Sequence, residues 1–304
     1  MTVVERKARA LGRSAEYTVQ PLRDRDQIRR ILETRRPYAA YALGQLDPVL
    51  FRVSEWWLAL GPGGERALVL HSHGGLGNAT FAMGGAGALD AVLRLHPGPR
   101  HAFLTCEVHH LETALRYFEI EQRQTMIRMQ VTPDTFRPFR DEPVERLSGR
   151  DVRAVNRLYR TDGVPSFYTS HQIDDSVYFG AVRGGELVSI AGTHVISALS
   201  GIAVVGNVYT HPRYRGAHLA EATTSAVTAL LLRSCREVVL SVDPTNAPAV
   251  RAYERLGYRE VARLLEGAAL RRDATGVVSA ARRLLARVRG RPAHAEVVRG
   301  PGDR

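Results

Sequence analysis

The stretch from Gly206 to Tyr258, GNVYTHPRYRGAHLAEATTSAVTALLLRSCREVVLSVDPTNAPAVRAYERLGY, constrains this chain more than any other part of it. A buried strand through NVYT ends at His211 and Pro212, and the chain turns through Arg213, Tyr214, Arg215 and Gly216 directly into a helix beginning near Ala217. Unpaired N–H groups at a helix start, the helix dipole and nearby arginines together make a receptor for a phosphate or pyrophosphate. A residue as small as Gly216 lets such an anion approach the main chain. In the next predicted helix Asn246, Ala249, Val250 and Tyr253 fall at i, i+3, i+4 and i+7, which puts Asn246 and Tyr253 on one face. An asparagine, a phenol and an anion loop therefore converge.

Around this unit the order of elements occurs twice. The length of 304 residues suits two domains. In the first half a strand (16–22) and an amphipathic helix (23–35) precede a second helix (38–46). Short strands at 56–60, 67–71 and 79–83 follow, separated by Gly-rich turns. A helix over 87–95, a strand at 101–106, a helix at 109–118 and a strand at 124–131 complete it. The Pro-containing run TPDTFRPFRD, 132–141, reads as a linker. Beyond it come a strand (144–147), a helix (150–160), a short helix or loop (166–173) and a meander of three strands (177–182, 187–196, 202–210). A long helix (217–233), a strand (238–243), a helix (246–256) and a last strand (259–265) end this half. The expectation is an α/β (α+β) protein of two tandem domains, each a mixed, mainly antiparallel sheet flanked by helices. Residues 1–15 are a basic arm, 16–131 and 142–266 the two domains, and 267–304 a basic, largely flexible tail. Within the tail SAARRLLARVRGR is amphipathic, with Leu284, Leu285 and Val288 placed to dock weakly.

The segment 206–258 resembles the acyl-CoA-binding half of the GNAT (GCN5-related N-acetyltransferase) superfamily. The pattern covers the C-terminal half of the chain nearly end to end. The family's loop reads Gln or Arg, any two, Gly, any one, Gly or Ala; here it is Arg215, Gly216, Ala217, His218, Leu219, Ala220, with His218 in place of the middle glycine. The runs VYTHPRYRG and NAPAVRAYERLGY are similar to its FR47-like and glycine N-acyltransferase-like branch. By that resemblance, the backbone of Val208, Tyr209 and Thr210 pairs with the pantetheine arm. The amides of Gly216, Ala217, His218, Leu219 and Ala220 hold the pyrophosphate, with Arg215 and Arg213 adding charge. Asn246 sits beside the pantetheine, and Tyr253 is the general acid for the departing thiolate. Direct attack of an amine on a thioester needs a stabilised oxyanion and a protonated leaving group, so no nucleophilic Cys or Ser is required. At His218 two outcomes stay open: its Cβ crowds the pyrophosphate, or its imidazole donates to it.

The resemblance thus implies an N-acyltransferase moving an acyl group, foremost acetyl, from acetyl-CoA or another acyl-CoA to an amine-bearing small molecule or peptide. Two readings compete. Tandem GNAT-like folds also occur in transferases resembling the FemABX group and the leucyl/phenylalanyl-tRNA-protein transferases, whose donor is aminoacyl-tRNA. The other is a non-catalytic acyl-CoA-binding module, against which Tyr253 argues. For a general base, His194, His171, Asp243 and Glu254 are available; His194 is preferred, and Asp243 has a capping role in the DPTN turn. The N-terminal half lacks the loop. Its nearest relic, MGGAGALDA with Gly84, Gly85 and Gly87, points to a degenerate domain that walls the acceptor cleft.

The remaining features have structural readings. His71 and His73 lack the carboxylate or thiol company that would make metal ligands of them and read as structural or surface residues, the pair His109 and His110 is read the same way, and no metal is expected. Trp56 and Trp57 read as core and interface aromatics. The helix with Tyr38 and Tyr41 is a packed element, or alternatively lines the cleft. Cys106 and Cys235 are far apart, without metal spacing. Composition, 44% hydrophobic and 24% charged, excludes wholesale disorder. With no apolar run of about 18 residues and no apolar signal centre, the expectation is a cytoplasmic protein without membrane partners. The net charge of +11 sits at the ends, +5 in residues 1–40 and +6 in 263–304. Such ends are ordinarily solvated tails, or would track tRNA as a polyanion. Neither the acceptor nor the oligomeric state is legible.

Overall fold

In chain order the elements of the first half are β1 (Glu16–Pro21), α1 (Arg25–Glu33), α2 (Ala40–Gly44), α3 (Pro48–Arg52), β2 (Ser54–Leu60), β3 (Arg66–His73), β4 (Asn78–Gly84), α4 (Ala86–Leu95), β5 (His101–Glu107), α5 (Leu111–Tyr117) and β6 (Phe118–Val131). Then come β7 (Glu145–Arg146), α6 (Val152–Arg160), α7 (Ser170–Asp174), β8 (Phe179–Arg183), β9 (Glu186–Ser197), β10 (Ile202–Thr210), α8 (Leu219–Leu231), β11 (Glu237–Val242), α9 (Ala247–Arg255), β12 (Arg259–Arg271), α10 (Val277–Arg289) and β13 (Glu296–Arg299). This is a computed structural model, and it describes residues 15–74, 77–163, 166–289 and 296–299.

The chain forms two compact units. One comprises 1–31, 48–125 and 264–304, the other 32–47 and 126–263. In the first, the strands run in the order β13-β1-β2-β3-β4-β5-β12, antiparallel except for β4 beside β5. Helix α4 covers this sheet because Ala88, Leu89, Val92 and Leu95 recur at helical spacing and bury against Val19, Val69, Ala82 and Leu104. Each large aliphatic side chain so buried contributes about 1.5 to 3 kcal/mol. In the second unit the order is β6-β11-β10-β9-β8-β7, antiparallel except for β10 beside β11. Val227 and Leu231 of α8 pack there on Ala203, Val205, Val238 and Leu240. Each unit is thus the mixed, mainly antiparallel sheet flanked by helices that the element order predicts.

The domain limits differ from the sequence expectation in three places. Residues 264–270 of β12 pair antiparallel with β5, while 127–131 of β6 pair with β11, so each unit is completed by a strand from the other half of the sequence. Residues 32–47 belong to the second unit: Ala40, Ala42 and Leu43 of α2 are buried, and a Cβ on Gly44 would meet Val195 at 2.5 Å. The tail is not loose where it is described. β13 pairs with β1, Ser279 is buried with its N–H and hydroxyl on Asp273, and Ala286 docks while Leu284 and Leu285 are exposed. The helix thus turns Ala286, the residue directly after the apolar pair, and not the pair itself, toward the core cluster. The arm 1–14 and the tail's last residues lie outside the described residues. The 132–141 run has no strand or helix, as a linker would, yet it is held to the second unit. Phe136 and Phe139 pack on its core, and Gly257, at φ +90°, is so close to Thr135 O that a Cβ would lie 1.8 Å from it.

Candidate functional site

Strand β10 does two things its sequence hints at through Gly206-Asn207. Its parallel pairing with β11 stops at Val205 opposite Leu240, although both strands continue. Its pairing with β9 is interrupted between Gly206 and Tyr209, and Asn207 sits there at φ +54°. This is a β-bulge, which re-aims a strand and frees its backbone, and asparagine tolerates the left-handed region better than most residues. Val208, Tyr209 and Thr210 therefore lie, half-buried, on an edge that β11 has left. The Tyr209 hydroxyl bonds Thr161 Oγ1 at 2.9 Å, and Thr210 Oγ1 bonds Ser189 Oγ at 2.8 Å.

Beyond Thr210 a short turn, Pro212–Tyr214, leads to Arg215, Gly216 and Ala217, all exposed except the half-buried Tyr214. Gly216 has φ +82° with open space where a Cβ would be. His218 occupies the N-cap of α8 in the left-handed region, φ +56° and ψ 12°. Among the described residues no acceptor bonds the N–H groups of 216–220; the first bond of the helix is Ala222 N–H to His218 O. The Arg215 Nε–H donates to Thr210 O at 3.3 Å, while the guanidinium of Arg213 makes no ion pair among the described residues. The turn is open, cationic at its edge and lined by amides.

His218 is held by its neighbours. Its Nδ1 is 3.0 Å from Glu221 Oε2, and its ring stacks on Phe139 with centroids 5.9 Å apart. Glu221, buried in the first turn of α8, also receives Nε–H and Nη2–H bonds from Arg255 at 2.9 and 2.7 Å. Burial pushes the Glu221 carboxyl up, but the bonds and charges of Arg255 and His218 outweigh it and hold it below the usual carboxylate range. Its negative charge is thereby matched by Arg255. Sequence reading missed both residues; no local pattern links positions 34 apart.

On α9, Asn246 is the N-cap, its Oδ1 accepting from Ala249 N–H at 3.2 Å. Asp243 caps the preceding turn through Thr245, as expected. Tyr253 is buried in the core cluster with its ring edge-on to Tyr258, and burial pushes its pKa up to about 12. Its hydroxyl makes no hydrogen bond among the described residues. It stays a proton donor over the whole neutral range.

His194 of β9 lies against the bulge: a Cβ on Gly206 would be 2.3 Å from its ring. Its Nε2 is 3.0 Å from Asn207 Oδ1, whose amide donates to the Tyr178 hydroxyl at 2.8 Å. Its Nδ1 is 2.7 Å from the hydroxyl of Tyr41 on α2. Burial, and then the charge of Arg128, lower the imidazole pKa, although the Asn207 bond opposes this. Sequence reading named His194 and offered Tyr41 as a cleft residue; Asn207 was passed over, although Gly-Asn inside a strand is a bulge signal. His171 is exposed on α7 and pairs with Asp175.

Elsewhere, His71 is buried while His73 is exposed, so the two do not act together as ligands. His109 and His110 lie with Glu107, their ligand atoms all within 4.8 Å, but both ring nitrogens of His110 are engaged, by Gly84 O and Glu107 N–H. Trp56 is core, and Trp57 stacks on His96. Among the described residues no helix is long and apolar enough to cross a membrane.

Residues 146–258 match the acetyltransferase (GNAT) family. Mycothiol acetyltransferase of Acidothermus cellulolyticus is 40% identical over 101 residues, 28% of this chain and 31% of that protein, so the match spans less than a third of the relative's length. Among solved structures, a Drosophila protein aligns over 83% of this chain and 98% of its own, with a TM-score of 0.59 and 16% identity, a likeness of fold. A tandem GNAT protein from the clavulanic acid biosynthesis pathway aligns over 84% of this chain and 98% of its own, with a TM-score of 0.46 and 14% identity.

Proposed function

We propose, from the match of residues 146–258 to the GNAT acetyltransferase family, that the second unit takes an acyl group from acyl-CoA and transfers it to an amine. The observation that carries the reading is the open start of α8 beside the edge of β10 that β11 has left. The amides of Gly216, Ala217, His218, Leu219 and Ala220 suit a pyrophosphate, with Arg213 and Arg215 at its rim. Val208, Tyr209 and Thr210 suit the extended pantetheine, and Asn246 has its amide nitrogen left for that arm after its oxygen caps α9. The bonded, left-handed His218 supports neither crowding nor simple donation through Nδ1, which Glu221 occupies.

The amine lone pair attacks the thioester carbon, the C–S bond breaks, and the thiolate takes the Tyr253 proton. A relative named for acetyl transfer favours acetyl as the group moved. The test is thermal stabilisation by acetyl-CoA, which a ligand of the native state confers by mass action. Native protein is expected to melt higher with millimolar acetyl-CoA, and Gly216→Trp to lose the shift while still folding, from a baseline lowered by left-handed strain. Tyr253→Phe should keep the shift and transfer about 10² to 10⁴ more slowly. Absence of a shift, or transfer from aminoacyl-tRNA alone, overturns the reading.

A further inference from the structure

The side chains around the β10 bulge form one directed chain of hydrogen bonds. Asn207 Nδ2–H donates to the Tyr178 hydroxyl, which fixes Asn207 Oδ1 toward His194, where it accepts from Nε2–H. Tyr159 donates its hydroxyl proton to Asn207 O at 2.6 Å, so the bulge residue is held by both its backbone and its side chain. With Nε2 protonated, Nδ1 carries the lone pair and accepts from Tyr41 O–H. The tautomer of His194 is thus set by Asn207, and the bonds run from Asn207 through His194 to the Tyr41 hydroxyl. Tyr41 is half-buried on α2, its ring under the Arg128 guanidinium at 5.1 Å.

Resting on the acyl-transfer reading above, we propose that Tyr41 passes the proton of the attacking amine to His194, with Asn207 as the positioning residue. When the amine nitrogen bonds the thioester carbon it becomes cationic. Its N–H proton moves to Tyr41 Oη as the Tyr41 proton moves to His194 Nδ1; Nε2–H stays on Asn207. The C–S bond then breaks with the proton from Tyr253, and after product leaves His194 returns its Nδ1 proton to solvent through Tyr41 while Tyr253 takes one back from solvent. The groups facing His194 suit this role: Tyr41 from α2, Arg128 from β6 and Asn207 from β10, with Tyr178 and Tyr159 behind. No carboxylate bonds it among the described residues, so the imidazole rests neutral and takes up a proton only transiently.

Two measurements on the full chain test this. Histidine ¹⁵N NMR of native protein should show His194 as the Nε2–H tautomer, and Asn207→Ala should mix the tautomers. With hydroxylamine as acceptor, an amine uncharged at neutral pH, Tyr41→Phe should keep stabilisation by acetyl-CoA and its KM but lose roughly 10²-fold in kcat. The acid limb of the native pH profile, measured at a constant concentration of unprotonated hydroxylamine, should go with it. His194→Gln should lose as much, and the double variant no more than either single one, as residues acting in one unit do. A Tyr41→Phe enzyme with native kcat and pH profile overturns the relay. So does an Nδ1–H tautomer, and so does a native protein that binds acetyl-CoA yet adds nothing to the uncatalysed hydroxylamine rate. If acetyl-CoA fails to stabilise native protein, the donor reading falls instead, and the NMR result alone decides the hydrogen-bond chain.

Discussion

In the first unit β4 runs into α4 through Gly84 and Gly85; in the second β10 runs into α8 through residues 211–218. Each strand has one parallel neighbour, and in each pair the pairing stops before the strands end, at Phe81 opposite Thr105 and at Val205 opposite Leu240. The same opening is then used differently. In the first unit Glu107 accepts from Gly84 N–H at 3.1 Å, while His109 and His110 reach Gly84 O at 3.1 and 2.7 Å. The start of α4 is taken as well: Glu65 Oε1 accepts from Gly87 and Ala88 N–H at 3.0 and 3.1 Å, and Tyr17 donates to its other oxygen. The first unit supplies its own carboxylate to the helix amides, whereas the second leaves them bare. A helix start is an anion site only where the chain itself does not fill it, which is why the glycines of MGGAGALDA carried so little information.

The largest effect that separates the two turns is steric. A Cβ on Gly84, at φ +114°, would lie 2.2 Å from Arg66 O; on Gly216 it would meet nothing within 4 Å. Gly84→Ala is expected to cost the first unit at least about 3 kcal/mol, a severe loss tied to backbone collision. Gly216→Ala should cost only the left-handed strain, about 1 to 2 kcal/mol. Urea denaturation of both variants reads the difference, and equal losses would break the contrast.

Acid should come next. His71 of β3 is fully buried, bonded to Thr80 Oγ1 and to His96 O at 3.0 and 2.9 Å, and burial pushes its pKa down to about 4 from 6.5. Because the folded value is lowered, the neutral form is native. Above pH 6.5 the group contributes nothing to pH dependence; as pH falls from 6.5 to 4 the unfolded chain takes up a proton that the native state refuses. The first unit should lose on the order of 3 kcal/mol across that window. His71→Gln, compared with native protein at pH 7 and pH 4.5, should flatten the loss, and an unchanged slope would remove His71 as its source.

These cases show what the sequence carries. β10, from Ile202 to Thr210, coincides with its predicted span, and most helices are placed within a few residues, because apolar periodicity is a local signal. What was lost is long-range. Nothing in the run 259–271 says that its first residues stay with one unit while 264–270 pair with β5. Likewise the element order assigns 32–47 to the half in which it is written, and long-range contacts place it in the other: Gly44 packs on Val195, Tyr41 bonds His194, and Arg36 pairs with Glu237. Around the proposed site, Gly216, Asn246 and Tyr253 are the residues that spacing singles out. Glu221, Arg255 and Asn207 are not among them, since their importance comes from partners distant in sequence.

Glu65 permits a direct probe of the filled turn. Glu65→Ala leaves the Gly87 and Ala88 amides and the Tyr17 hydroxyl without their carboxylate, and such orphaned groups cost about 1 to 3 kcal/mol. The same variant should recover stability in added phosphate, which native protein would do less. A variant as stable as native protein would mean that the amides of α4 gain little from Glu65, and the contrast between the turns would rest on sterics alone.

The smallest effect probes the open turn. Glu221 places a negative charge in the first turn of α8, which favours the helix dipole but would repel a pyrophosphate at the same amides. Arg255 cancels it through bonds to both carboxylate oxygens, and the ion pair lies on the side chain that is the less exposed of the two, 5% for Glu221 against 48% for Arg255. Replacing Arg255 by methionine keeps the aliphatic stem but uncovers the carboxylate, and acetyl-CoA affinity should fall by roughly 3- to 10-fold, about 1 kcal/mol, with the loss shrinking at high salt as a partly screened interaction does. Adding Glu221→Gln to Arg255→Met should restore most of the affinity, because the repelling charge is gone, whereas a loss that came from disrupted packing would survive the second change. Equilibrium titration of acetyl-CoA against the single and double variants at two ionic strengths separates these outcomes, and an unchanged dissociation constant in Arg255→Met would show that the anion is not bound at the start of α8.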